Sequence, residues 1–379
     1  MTTARPLWPS VEAFLAAERP EEPVFLLSPA AVTEGARRFL DAFPGLVTFA
    51  VKSNPEPAVL LGLIAAGVTG FDVASAEEIR LIRRLAPEAA IHLHNPVKTR
   101  AEMRFAHAEG VRTFSLDSRT ELAKIAETLP AAGTELSVRF RMDVAGAAYD
   151  FGSKFGATEA EAAPLLAEAA RLGFTASLTF HPGTQCRAPE AWRAYVAAAG
   201  RIARAAGVAP ARLNVGGGFP SAGAGAPPLA AFFAVIEAAA AEAFPAGAPA
   251  LVCEPGRGLI SEAMALAAQV RLVREDGAVF LDDGIYGGLA EAPMTRELPP
   301  LRAVRPDGAP VAGAPTPRVV FGPTCDSMDR LPGAPALPEG LAEGDWVIFE
   351  GLGAYGTATV TRFNGFGPRR TELCARLAA

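Results

Sequence analysis

Eight short β-like runs recur at near-even spacing between residues 47 and 256: "VTFAVKS", "GFDVAS", "IHLHNP", "TFSLDS", "ELSVRFRM", "SLTFHPG", "LNVGGGFP" and "LVCEPG". Seven stretches separate them, and most carry helical signals, among them "AEEIRLIRRL", "RTELAKIAETL", "EAEAAPLLAEAARLG" and "AWRAYVAAAGRIARAAG", with Gly near several helix ends. Strands joined through helices pair in parallel, and eight such units over roughly 200 to 250 residues close into a (β/α)8 barrel. After Pro255 the texture changes to β-rich runs, "LAAQVRLVRE", "AVFLDDGIYG", "PRVVFGPTCD" and "DWVIFEGLGAYG", separated by Pro/Gly-rich loops such as "PPLRAVRPDGAPVAGAPTP". The expected architecture is α/β: a TIM-type barrel over residues 28–257 and a mostly β domain made of residues 1–27 with 258–379. The strand-like "PVFLLSP" near residue 24 can pair into that second domain.

The chain of 379 residues is half apolar, which suits one large core and a smaller one. Its 35 basic and 41 acidic side chains give a net charge of -6, with no block of like charge. That argues against nucleic acid or an anionic membrane surface and in favour of a small-molecule partner. The four cysteines, Cys186, Cys253, Cys325 and Cys374, lie far apart with no CxxC pair, so neither a zinc knuckle nor a redox motif is expected. "MTTARPLWPSVEAFLAAERP" has no apolar signal core, and the uncharged Ser221 to Ile236 is broken by Gly and Pro. A cytoplasmic protein is expected.

Barrel enzymes carry their active sites at the C-terminal ends of the strands, and here those ends are polar. The first run ends in Lys52, the second in Asp72, the fifth in "RFRMD" with Arg139, the sixth in His181, the seventh in Gly216-Gly217-Gly218 and the eighth in Glu254-Pro255-Gly256-Arg257. Lys52 closes an apolar run and does not look placed on a solvated face. A buried lysine there can form a Schiff base with an aldehyde, because burial favours its neutral amine. A triple glycine lets the backbone approach a phosphate, with partial positive charge from the helix that follows. A carboxylate facing a pyridine nitrogen keeps it protonated and makes the ring an electron sink. A lysine, a flat ring, glycines, a carboxylate and an arginine would serve a phosphorylated aldehyde cofactor.

The segments "FAVKSNPEPAVL", "GFDVASAEEI", "SKFG", "FHPGTQC", "GGGFP", "EPGR", "GPTCDSMD" and "GAYG", in this order from about residue 24 onward, closely resemble the pyridoxal-phosphate-dependent ornithine/diaminopimelate decarboxylase family of the alanine-racemase-like fold, fold type III. The resemblance implies pyridoxal 5'-phosphate as cofactor, with Lys52 as its covalent anchor, His181 stacked on its ring and Glu254 paired with its pyridine nitrogen. It implies Thr184, Gly217, Gly218, Arg257 and Tyr355 around the phosphate, and it adds Asp72, Arg139 and Gly256 to the cofactor set, although the residues alone leave the role of Asp72 open. It further implies a homodimer with shared sites, in which Cys325 gives a proton to the substrate carbon, Asp326 pairs with the distal amine, and Tyr286 opens the loop to Leu298 that shapes the substrate pocket. The implied reaction is decarboxylation of a basic amino acid, ornithine to putrescine in polyamine biosynthesis first, lysine second, diaminopimelate third. "CDSMD" sets this order, since the diaminopimelate enzymes carry Cys-Glu and an "RPxLY" motif that this chain lacks. Two stretches depart from the family: "HPGTQ" has a proline where an aliphatic residue is usual, and "YGGLAEAP" does not match the animal ornithine enzymes.

Other readings compete residue by residue. His92 and His94 stand two apart and share one face of the third strand, the pattern of a metal-dependent barrel hydrolase, but His107 lies in a charged helical stretch and too few ligands remain, so no metal is expected. His181 is the one histidine expected to act. Ser75 with Glu78 fits a capping box. "GLGAYG" matches a dinucleotide fingerprint, but only 23 residues follow it, too few for a βαβ unit. Cys253 and Cys374 read as buried apolar side chains. A barrel that merely carries the cofactor is the non-catalytic alternative, and the residues beyond the barrel argue against it.

Overall fold

The computed structural model describes residues 6–142, 154–223 and 225–378. Asp143 of "RFRMD" and Ser153 of "SKFG" lie outside the described residues. The chain divides into two compact units, residues 36–52 with 63–259, and residues 1–35 with 53–62 and 260–379.

The first unit is a closed barrel of eight parallel strands: Leu46–Ala50, Gly70–Val73, Ala90–Leu93, Thr113–Leu116, Glu135–Arg139, Thr175–Thr179, Arg212–Asn214 and Ala250–Cys253. Each falls within or beside one of the eight runs. Register explains why the strands alternate as they do. Ala50 pairs with Asp72, Asp72 with His92, His92 with Thr113, Thr113 with Glu135, and Thr179 with Asn214, so these residues share one face. His94 and Asn214 approach each other from the third and seventh strands, which only inward-pointing side chains can do. The barrel interior is therefore polar and small, and Phe49, Phe71, Phe114, Leu136 and Leu178 turn outward to be buried elsewhere.

Helices connect the strands, and their starts follow from local chemistry. Ser75, Thr99, Ser118 and Thr158 cap Ala76–Leu85, Arg100–Ala108, Arg119–Thr128 and Glu159–Arg171 with their side-chain oxygens. Thr99 with Glu102 and Thr158 with Glu161 are full capping boxes. At Ser75 the reciprocal half differs: Glu78 accepts from the Ala74 N–H, one residue earlier than a box requires.

The second unit is built on an eight-stranded sheet. Its long strand, Met264–Val273, pairs with Val24–Leu27 on one side and Trp346–Phe349 on the other, so "PVFLLSP" joins this sheet as expected. Val11, Phe14, Leu26, Trp346 and Ile348 form its core. The stretch read as the loop "PPLRAVRPDGAPVAGAPTP" instead contains a strand, Leu301–Val304. Flanking prolines hide it in the sequence, while antiparallel pairing with Trp346–Phe349 satisfies its backbone.

Candidate active site

At the mouth of the barrel the strand ends converge. Asp72 from the second strand and Glu254, just past the eighth, are both buried or nearly so, and His94, one residue past the third strand, sits between them. His94 Nδ1 meets Glu254 Oε1 directly and lies 3.4 Å from Asp72 Oδ1. Asn214, the last residue of the seventh strand, donates its Nδ2 to the same Glu254 oxygen and receives the Gly216 N–H on Oδ1 at 2.8 Å. Burial alone would raise Glu254, but the charge and hydrogen bond of His94, and then Lys52, hold it below the usual carboxylate range. Asp72 moves the other way, raised by burial and by the charge of Glu254. Two adjacent carboxylates are thus pushed apart in proton affinity, as at many reactive sites.

His181 lies past the end of the sixth strand. Its Nδ1 accepts the Gly183 N–H at 3.1 Å, which leaves the proton of a neutral ring on Nε2. Burial, then the charges of Lys52 and Arg139, push its pKa down to about 3, so the ring is neutral at ordinary pH. Arg139 ends the fifth strand and is itself lowered by burial.

Lys52 departs from expectation in one respect. It is exposed, not buried. The strand stops at Ala50 and Lys52 occupies the 3-10 turn Val51–Ser53, beyond the walls of the barrel. Its ammonium is still close enough for its charge to act on Asp72, Glu254 and His181.

The triple glycine is forced by close packing. A Cβ at Gly216 would stand 2.2 Å from the Phe180 carbonyl oxygen, at Gly217 2.7 Å from that of Glu254 and at Gly218 2.4 Å from that of Gly183. Gly216 and Gly218 also have left-handed φ, +69° and +88°. Three loops are lashed here, with Cys186 N–H donating to the Gly218 carbonyl and Gln185 Oε1 accepting from Ser221. Trp192 supports them from behind, donating Nε1 to the Val215 carbonyl and stacking on Phe219 at 4.9 Å. Thr184 is buried within this knot, Gly256 is buried beside it in sequence from Glu254, and Arg257 is half-buried. The helix expected to point at the glycines starts only at Leu229, past an intervening loop, so its N-terminus does not follow them directly.

The remaining expected residues belong to the second unit. Asp326 accepts the Tyr286 hydroxyl, which lowers its pKa, and also the Met328 N–H at 2.9 Å. Cys325, the exposed one of the four free cysteines, donates its backbone N–H to Asn364 Oδ1 at 3.2 Å. Tyr355 holds a left-handed φ of +62° and donates its N–H to the Ser53 carbonyl at 2.6 Å. Strain of this kind in a non-glycine residue clusters at functional sites.

Sequence reasoning passed over His94 and Asn214. Both are polar residues at strand ends, the signal used for Lys52 and Glu254, but His94 stands beside His92 in one run, and Asn214 lies inside the seventh run, whose end reads as Gly216-Gly217-Gly218. His92 and His94 do share a face, and His92 reaches Arg212 across the barrel at 3.4 Å.

The residues present fit a phosphorylated pyridine aldehyde: an amine on Lys52, an anion on Glu254, a neutral ring on His181, and a knot of glycines that admits no Cβ. A sequence model described as "Pyridoxal-dependent decarboxylase, pyridoxal binding domain" matches residues 30–261. This chain belongs to that family. The pyridoxal-dependent decarboxylase is 32% identical to the ornithine decarboxylase of Mus musculus over 87% of this chain and 75% of that protein. It is 31% identical to that of Neurospora crassa over 84% and 73%. Among solved structures, the arginine decarboxylase of Paramecium bursaria Chlorella virus, bound to agmatine, superposes with a TM-score of 0.86 at 30% identity, covering 96% of this chain and 99% of that one. The lysine/ornithine decarboxylase of Vibrio vulnificus, complexed with putrescine, gives 0.81 at 28% identity over 96% of each. The protein is a pyridoxal-phosphate-dependent amino-acid decarboxylase of the alanine-racemase-like fold. No helix among the described residues is long and apolar enough to cross a membrane.

Proposed function

We propose that this decarboxylase acts on a basic amino acid with L-ornithine as its preferred substrate, releasing carbon dioxide and putrescine, the entry to polyamine synthesis. The observation that carries the substrate is Asp326, an ionised carboxylate held by the Tyr286 hydroxyl, suited to the distal ammonium of a diamino acid. Relatives named for ornithine, and solved relatives named for ornithine, lysine and arginine, support the same class.

Each residue then has a task. The bound cofactor supplies an electron sink for the pair left on the α carbon when the carboxylate departs. Lys52 offers the amine that anchors it. Glu254 accepts the pyridine N–H, and the neutral His181 offers a flat, uncharged face. Thr184, Gly217, Gly218, Arg257 and Tyr355 would receive the phosphate, while Gly256, Asp72 and Arg139 would complete the cofactor site. Cys325 delivers the proton to the α carbon and Asp326 binds the distal amine. Both lie on the compact unit that does not contain the barrel, which supports a homodimer in which each subunit completes the other's site. On this reading the β-rich domain, residues 1–27 with 258–379, serves dimer and site, and residues 28–257 hold the cofactor. Four free thiols, three of them buried, suit a reducing cytoplasm.

Product analysis tests the substrate. Incubation with ornithine, lysine, arginine and diaminopimelate in turn should give putrescine fastest. Faster release of cadaverine, agmatine or lysine would replace ornithine.

A further inference from the structure

Asp72 and Glu254 reach the barrel mouth from different strands, Asp72 buried and Glu254 nearly so. Two such anions in a dry site do not both stay ionised unless a cation stands between them. The side chain between them is His94. Its Nδ1 meets Glu254 and lies 3.4 Å from Asp72, and its Nε2 is buried with no hydrogen-bond partner among the described residues, so the ring bonds through Nδ1 alone. Asn214 supplies the second donor to Glu254 Oε1.

We propose that His94 is a positioning residue for Glu254: as an imidazolium, with Asn214, it fixes one carboxylate oxygen and keeps Glu254 an anion, leaving the other oxygen for the pyridine nitrogen of the cofactor. The inference rests on Glu254 facing that nitrogen. The charges around it agree. Burial opposes charge on His94, but Glu254 and then Asp72 outweigh it and push its pKa up to about 10. His92, whose ring centroid is 5.3 Å away, is pushed down to about 3 by burial, then His94, then Arg212, and adds no charge. Lys52, Arg139 and His181 face the two carboxylates from the first, fifth and sixth strand ends. Asp72, raised where Glu254 is lowered, takes the first proton as pH falls, and Glu254 keeps its charge.

The chain has four histidines, few enough to follow individually by nuclear magnetic resonance of histidine-labelled enzyme, with and without cofactor, each assigned by a single His→Gln substitution. The expected result is a His94 signal of the charged ring, flat from pH 6 to 8.5 and indifferent to EDTA, which titrates at least one pH unit lower in Glu254→Gln. His94→Gln, which keeps a donor without the charge, should lose at least about tenfold more turnover at pH 6.5 than at pH 8.5 relative to the unmodified enzyme. A neutral His94 at pH 7, or a signal displaced by EDTA and hence a metal ion on the trio, overturns the proposal. If Glu254→Gln is impaired while His94 is neutral, the role of Glu254 stands and the ion pair falls. If Glu254→Gln turns over normally while His94 is charged, the ion pair stands and the role of Glu254 falls.

Discussion

The histidines of the barrel respond to pH in opposite directions. His181 and His92 are depressed from 6.5 to about 3, so the stability they contribute is complete above 6.5 and is lost as pH falls toward 3. His94 is raised from 6.5 to about 10, so its contribution is complete below 6.5 and is lost as pH rises toward 10. Between them these histidines favour a pH near 6.5 in the cofactor-free protein, and Asp282 and Asp283, raised by burial to about 7 and about 8, add to the loss of stability as pH rises. His94→Gln should flatten the loss of stability on the alkaline side, which melting curves from pH 6.5 to 9.5 would detect. Among the substrate residues, Asp326→Asn removes the charge that pairs with a distal ammonium while leaving every barrel residue in place. It should cost ornithine at least about tenfold in kcat/KM and leave cofactor affinity unchanged, and unaltered ornithine kinetics would remove Asp326 from the site. At this scale the strand-end rule made Lys52, Glu254 and His181 legible, because a polar residue after an apolar run is visible in one dimension. His94 was not legible, since its partners come from strands that the sequence separates by many residues. Nor was the exposure of Lys52, which depends on where the strand stops and the turn begins.

Elements that hold themselves together locally are easy to read. The Ser and Thr caps lie immediately before the helices they start, and substituting one by Ala typically costs about 1 kcal/mol. Thr158→Ala, which removes the side-chain half of a capping box and leaves the backbone N–H of residue 158 to Glu161, should lower stability by about that amount without touching turnover, as thermal melts and activity assays would show. Leu301–Val304 is the opposite case: it is a strand only because Trp346–Phe349 lies alongside, and its prolines conceal it. The glycine loop lies between the two. "GGGFP" announces a special backbone, but the reason for three glycines is the neighbouring carbonyls of Phe180, Glu254 and Gly183. Gly217→Ala places a methyl 2.7 Å from the Glu254 carbonyl oxygen and 3.2 Å from His181 Nε2, so it must spread two residues of the proposed site. Cofactor affinity, followed by equilibrium dialysis, should fall at least about tenfold. Gly223, where a Cβ meets nothing within 4 Å, is the control, and Gly223→Ala should bind cofactor normally.

Over the whole molecule, residues distant in sequence are gathered into two units, and the proposed functional set is split between them. Lys52, Glu254 and His181 belong to the barrel unit, Cys325, Asp326 and Tyr355 to the other. Alternating strands and helices made the barrel legible, and the change of texture after Pro255 made the sheet legible. The assignment of residues 53–62 to the sheet unit was not, because those residues follow the first barrel strand without a break in pattern. A split set matters for assembly. If each subunit completes its partner's site, Lys52→Ala and Cys325→Ala disable different halves of the same site, and neither homodimer turns over at a normal rate. Mixing them under conditions of subunit exchange yields hybrids in which one site carries both lesions and the other carries none. An equimolar mixture in which half the dimers are hybrids, each with one intact site of two, should recover about a quarter of the unmodified activity. Differently tagged subunits, purified as hybrids over two affinity columns, should approach one half. Activity that stays at the level of the parent variants, with exchange proven by the two tags, would place Cys325 and Lys52 of the same subunit in one site and remove the shared-site dimer.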